Sequence, residues 1–157
     1  MEQETELISY AENVVKLARR LGHDLIVIGA VALASHHYVR ITNDIDLAGN
    51  LSLDELGRLA DELRKMGYSV EMREPDADDP LGGVLDITGS FGQIQVINFH
   101  DRFPAVINDA LQEATMVAAE ESPLRIIPLP HLVVLKLYSG GLNSMADIVE
   151  VLSLEPV

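Results

Sequence analysis

Apolar residues recur at helical spacing near the start of the chain. Leu7, Ile8, Ala11, Val14, Val15, Leu17 and Ala18 form one stripe, and Gly22 stops it. The spacing predicts a helix over 4–21. "DLIVIG", Asp24 to Gly29, is a short unbroken apolar run, as in a buried strand. Residues 30–37 are small or helix-tolerant and predict a short second helix. "DIDLAG" then alternates, with Ile45 and Leu47 on one side of a strand and Asp44 and Asp46 on the other. "NLSLDELGRLADELRKMG" has the clearest helical pattern. Ser52 and Glu55 make a capping box, Leu53, Leu56, Leu59, Ala60 and Leu63 give the apolar face, and Gly67 ends it.

The second half changes period. "YSVEMRE" alternates as a strand does, and Pro75 to Gly83 is a loop by composition. "VLDITGSFGQIQVINF" reads as two strands joined by a glycine-containing turn. A helix is expected over 103–119, with Pro104 in its first turn. "LRIIPLP" is a short extended piece, and "HLVVLKLYSG" and "SMADIVEVLSL" predict two closing helices. Strands concentrated early and helices late imply a mixed sheet flanked by helices, of α/β or α+β class. No internal repeat interrupts this order, so residues 1–157 are expected to form one domain.

Composition narrows the function. Aromatics are 4% of the chain and Trp is absent, so the core must be aliphatic. Cys is absent too, which excludes disulfides and thiolate metal sites. "MEQETELISYAENVV" lacks the basic and apolar regions of a signal peptide, and no apolar run reaches the ~20 residues of a membrane span. A cytoplasmic protein without membrane contact is expected. The net charge of −14 works against non-specific nucleic-acid binding. It leaves room for a nucleotide carrying its own metal.

Asp44 and Asp46 are the first chemical candidates. Two residues apart on a strand, their Cα atoms lie about 6.5–7 Å from each other on one face. Their carboxylates can converge on a hard cation such as Mg²⁺, whose oxygen ligands sit at about 2.0–2.1 Å. D-x-D pairs are also common on solvated strand faces, so the neighbours matter. Gly29 and Ala30 stand where a buried strand runs into a helix, a place where bare backbone and a helix N-terminus suit a phosphate. Arg40 and Thr42 stand just ahead of the pair, placed for phosphate oxygens or for the pair itself.

In this order, "GAVALASHHYVRITNDIDL" resembles the DNA polymerase beta-type nucleotidyltransferase superfamily. The "R-x-T-x-D-I-D" version looks most like the branch of abortive-infection-type nucleotidyltransferase toxins and related bacterial proteins. "PLPHLVVLKLYSGGLNSMADIVEVL" is similar to that branch's rear motif, so the resemblance runs from about Leu25 to Leu152. It implies that Asp44 and Asp46 bind Mg²⁺ or Mn²⁺ and that Gly29 and Ala30 hold the triphosphate. Lys136 would reach the triphosphate from the closing helix. A nucleoside monophosphate would pass from a nucleoside triphosphate to an acceptor hydroxyl, on a tRNA, a protein or another molecule, and toxin–antitoxin pairing would be in keeping.

The chain also departs from that pattern. Ala30 stands where serine or glycine is usual, and it has no hydroxyl. The third carboxylate, expected on a later strand, falls at Gln95, which cannot act as a base. Asp86 on the preceding strand is the expected substitute, ahead of Asp101 past the strand end. The acid expected near Ser144 is missing, leaving Asp147. Ala30 and Gln95 therefore support an alternative, a nucleotidyltransferase-fold module that binds nucleotide or a protein partner with catalysis weakened. The histidines assemble no site on paper. His36 and His37 point apart on a helix, His100-Asp101 lacks a nucleophile partner, and His131 falls near a helix cap. "EPDADD" reads as a solvated loop and "YSGG" as a helix stop.

Overall fold

Helix α1, Glu2–Arg20, turns Leu7, Ala11, Val14, Val15, Leu17 and Ala18 inward, as its apolar stripe requires. In this computed structural model the described residues are 2–28, 44–74, 83–99, 104–114, 117 and 122–139. Strands β1 (Ile26–Val27) and β2 (Asp44–Gly49) precede helix α2 (Leu53–Lys65). Strands β3 (Ser69–Arg73), β4 (Val84–Gly89) and β5 (Gly92–Asn98) follow, then helices α3 (Pro104–Glu113) and α4 (Leu129–Ser139).

The five described strands form one sheet in the order β1-β2-β5-β4-β3. β2 and β5 run parallel, and the other neighbouring pairs are antiparallel. This is a mixed sheet with flanking helices, as the pattern of elements predicts. Alternation gives β2, β4 and β5 a side of large buried apolar residues. Ile45 and Leu47 on β2, Ile94 and Val96 on β5, and Leu85 and Ile87 on β4 are fully buried in one core with residues of α1 and α2. Each such side chain is worth about 1.5–3 kcal/mol in area removed from water.

Local signals account for the joints. Ser52 Oγ accepts from Glu55 N at 3.1 Å while Glu55 Oε1 accepts from Ser52 N at 2.8 Å, the expected capping box. Gly67, at φ +96°, ends α2 in a conformation that side chains resist. Gly49 is needed for space, because a Cβ there would lie 2.6 Å from both Leu25 Cδ2 and Leu51 Cδ1. Asn98 is the buried polar residue at the end of β5. Its Oδ1 accepts from Leu51 N at 2.9 Å and its Nδ2 donates to Leu51 O, tying β5 to the turn after β2.

Several expectations shift. Leu53 is 40% exposed and does not join the buried face of α2, because it occupies the first turn at the rim of the core. Of the strand foreseen over 24–29, the described part is strand at Ile26–Val27, and Gly29 lies outside the described residues. The helix expected over 103–119 ends at Glu113, since Val117 forms an antiparallel bridge with Arg125. The last described helix begins at Leu129, which puts His131 in its first turn. The foreseen elements over 30–37 and 144–154, and most of the 75–83 loop, lie outside the described residues.

Candidate functional site

Opposite the core, the same alternation assembles a polar sheet face. β2 contributes Asp44 and Asp46, β5 contributes Gln93 and Gln95, and β4 contributes Asp86 and Thr88. Register sets them side by side. Asp44 is opposite Gln93 and Asp46 opposite Gln95 across the parallel pair. Gln95 in turn faces Asp86, and Gln93 faces Thr88. Asp44 is exposed and Asp46 half-buried, on the side of β2 away from buried Ile45 and Leu47.

The backbone of β2 is held from its other side as well. Ile28 N donates to Asp46 O at 2.9 Å, continuing the ladder of β1. The chain therefore leaves the described fold at Ile28, beside Asp46, and re-enters it at Asp44. Gly29, Ala30, Arg40 and Thr42 belong to the intervening stretch and lie outside the described residues, as do Asp101, Ser144 and Asp147. Lys136 falls within α4 as a backbone position.

Asp86 has partners on both carboxylate oxygens. Arg73 Nε donates to Oδ2 at 2.7 Å and Arg73 Nη2 to Oδ1 at 3.4 Å. Gln95 Nε2 donates to Oδ1 at 2.7 Å and Gln93 Nε2 to the same atom at 3.3 Å. Burial alone would raise the Asp86 pKa. The Arg73 hydrogen bonds and charge, with the two amide donors, outweigh it and hold the carboxyl below its usual range. Asp86 lies two strands from Asp46, about 9.5 Å in backbone spacing. Gln95 stands between them.

A second group of ligand-type side chains lies between two helices. Asp109 and Glu113, four apart on α3, meet His131 of α4, with ligand atoms within 4.8 Å of one another. His131 Nε2 lies 2.7 Å from Asp109 Oδ2 and 3.7 Å from Glu113 Oε2. Its Nδ1 is buried without a hydrogen-bond partner among the described residues. Asp109 and His131 also border a cavity of about 440 Å³, with Val106 and Val134 among its apolar walls.

Sequence reasoning did not find Arg73, Gln93 or the Asp109–Glu113–His131 group. The alternation of "YSVEMRE" marks the strand that carries Arg73, but its pairing with Asp86 depends on register. The i, i+4 spacing of Asp109 and Glu113 puts them on one helix face, yet nothing local announces His131.

The five-stranded mixed sheet with flanking helices is similar in fold to solved structures of nucleotidyltransferase-like proteins. The solution structure of the antibiotic-resistance factor ANT(2'')-Ia matches with TM-score 0.59 and 14% identity, over 96% of this chain and 84% of that one. The crystal structure of ANT(2'')-Ia with adenylyl-2''-tobramycin matches with TM-score 0.54 and 14% identity, over 93% and 87%. An antigenic nucleotidyltransferase-like protein from Paracoccidioides brasiliensis matches with TM-score 0.55 and 16% identity, over 96% and 77%. No protein-family model matches the chain, and no curated protein does. Among the described residues, no helix is long and apolar enough to cross a membrane.

Proposed function

We propose that the chain is a nucleotidyltransferase. It would bind a metal-complexed nucleoside triphosphate at the Asp44–Asp46 face and pass the nucleoside monophosphate to an acceptor hydroxyl. The carrying observation is the placement of both carboxylates on the polar side of β2, beside the point where the chain leaves for Gly29 and Ala30. The donors on this face are all oxygen, which fits Mg²⁺ or Mn²⁺. When bound, such an ion neutralises charge on the triphosphate and the departing pyrophosphate.

The chain's own residues do the rest. Asp44 and Asp46 hold the cation. Gly29, Ala30, Arg40, Thr42 and Lys136 are assigned to the triphosphate through the resemblance of their motifs. The acceptor oxygen bonds to the α-phosphorus, the bond to the bridging oxygen breaks, and the hydroxyl proton passes to water. Asp86, the expected third carboxylate, stands one strand beyond Gln95 and would act on the site through it. The net charge of −14 favours a neutral or cationic acceptor over a long polyanion such as RNA. ANT(2'')-Ia, an antibiotic-resistance factor solved in complex with adenylyl-2''-tobramycin, supports testing an antibiotic as acceptor. We assign the whole chain to one cytoplasmic domain and, on its "R-x-T-x-D-I-D" motif, to the abortive-infection-type branch, with a tRNA or a protein as further acceptors to test.

A second reading has its own support. Gln95 adjoins Asp46, and Asp86 is engaged by Arg73. No carboxylate from β4 or β5 adjoins the pair among the described residues. A module that binds nucleotide without turning it over fits this face too. Calorimetric titration of ATP, CTP, GTP and UTP, with and without Mg²⁺, on wild type and Asp46→Ala tests both. Metal-dependent binding lost in Asp46→Ala is the expected result, and its absence in wild type would sink both readings. Binding without pyrophosphate release across small-molecule, tRNA and protein acceptors would leave the module.

A further inference from the structure

The contacts of Asp86 bear on the carboxamide beside Asp46. An ionised carboxylate has only acceptors, so a glutamine that approaches it must present its NH₂ end. Gln95 does so at 2.7 Å, and this chemistry decides which end of the amide is nitrogen. Arg73 takes the remaining Asp86 oxygen at 2.7 Å, which fixes the anion in place. With its nitrogen anchored toward β4, the Gln95 amide diverges from Asp86 by its carbonyl oxygen. That oxygen accepts no hydrogen bond among the described residues. On the side of Gln95 away from Asp86, its register partner is Asp46.

Gln93 repeats the arrangement at 3.3 Å, with Asp44 as its register partner. Neighbouring strands lie about 4.8 Å apart. Two oxygens bound to one Mg²⁺ or Mn²⁺ at about 2.1 Å are separated by up to about 4.2 Å. A carboxylate on β2 and a carbonyl oxygen on β5 can therefore share an ion.

We infer that Asp86 is a positioning residue which orients Gln95, so that the Gln95 carbonyl oxygen completes the cation site of Asp44 and Asp46 as a neutral donor. This rests on the reading of Asp44 and Asp46 as cation ligands. The position where a third carboxylate is expected would then supply an oxygen without a charge. The ion would face two formal negative charges from the strands, and this donor could not accept the acceptor's proton.

The test is Mn²⁺ binding to the full chain, followed by electron paramagnetic resonance of the free ion. It uses wild type, Asp46→Ala, Gln95→Leu, Gln95→Glu and Asp86→Asn. Gln95→Leu is expected to weaken Mn²⁺ binding about tenfold, and Gln95→Glu to tighten it. Asp86→Asn, which can offer its own NH₂ and release the Gln95 amide, is expected to weaken it by about tenfold without touching the ion. The Gln95 side-chain NH₂ resonance, downfield in wild type through its bond to a carboxylate, should move upfield in Asp86→Asn. Opposite responses to Gln95→Leu and Gln95→Glu cannot come from misfolding alone. The inference is overturned if Asp46→Ala abolishes Mn²⁺ binding while both Gln95 variants bind as wild type does. If wild type binds no Mn²⁺, or Asp46→Ala binds it unchanged, the proposed function fails first.

Discussion

Two parts of this molecule gather acidic side chains, and they do so by different physics. The Asp44–Asp46 face is built on paired strands whose other side is the core, so its geometry is set by the sheet. The Asp109–Glu113–His131 group is built where two short helices meet, from acids that are 58% and 62% exposed. The first has a neutral carboxamide on the next strand and an arginine-bound carboxylate beyond it. The second balances its acids with a histidine against an apolar cavity. Close-set carboxylates alone do not distinguish a nucleotide site from an ordinary polar helix contact. What separates them is whether the backbone beneath is rigid and what stands beside them.

The sharpest way to break this comparison is to remove one acid from each region. Asp46→Ala should cost metal-dependent nucleotide binding about 3 kcal/mol or more, roughly a hundredfold in Kd. His131→Ala should leave that Kd within about twofold of wild type. Calorimetry under identical Mg²⁺ and salt conditions checks both, and equal losses would mean that the two regions belong to one site.

Rigidity can be probed separately from binding. Asn98 satisfies both backbone groups of Leu51 from inside the core. Asn98→Ala would strand those groups and is expected to cost about 2–3 kcal/mol in urea unfolding. The variant should also weaken Mg²⁺-dependent nucleotide binding, because Asn98 ends the strand that carries Gln95. A destabilised variant with unchanged affinity would show that the polar face does not depend on this tie.

Much of this is legible in the sequence, and the reasons are local. Period-two alternation in "DIDLAG" requires Asp44 and Asp46 to share a face whatever strand lies beside them. The capping box of Ser52 and Glu55 needs only three residues of separation. What was hidden depends on pairing. Gln95 could be named as the place of a missing acid, but its position between Asp46 and Asp86 follows from a parallel pairing on one side and an antiparallel one on the other. The Arg73–Asp86 bond joins residues on two strands separated by the 75–82 stretch, and only register brings them together. His131 reads as a residue near a helix cap, because the packing of α3 on α4 is not written in either helix.

Acidity offers a finer separation. The folded-state pKa of Asp86 is lowered, so its ionised form stabilises the fold, and that stability is fully present above the ordinary carboxylate value of about 4. It is lost as the pH falls through the lowered folded value. Wild type should therefore lose stability more steeply than Asp86→Asn in urea melts taken from pH 5 down to pH 2. Parallel curves would show that the Arg73 pair does not favour the charged form.

The smallest expected effect lies in the helix pair. Asp109 is more than half exposed, so its 2.7 Å contact with His131 competes with water and salt. Exposed pairs of this kind contribute about 0–1 kcal/mol. Asp109→Asn retains an oxygen that His131 Nε2–H can still donate to, so the loss at pH 7 should stay below about 1 kcal/mol and shrink further at high salt. Urea melts at low and high ionic strength measure it. A loss above about 2 kcal/mol, unmoved by salt, would place this pair among buried networks, where breaking one partner is expensive. The contrast between a site on a rigid sheet and a solvated helix contact would then have to be redrawn around the helices.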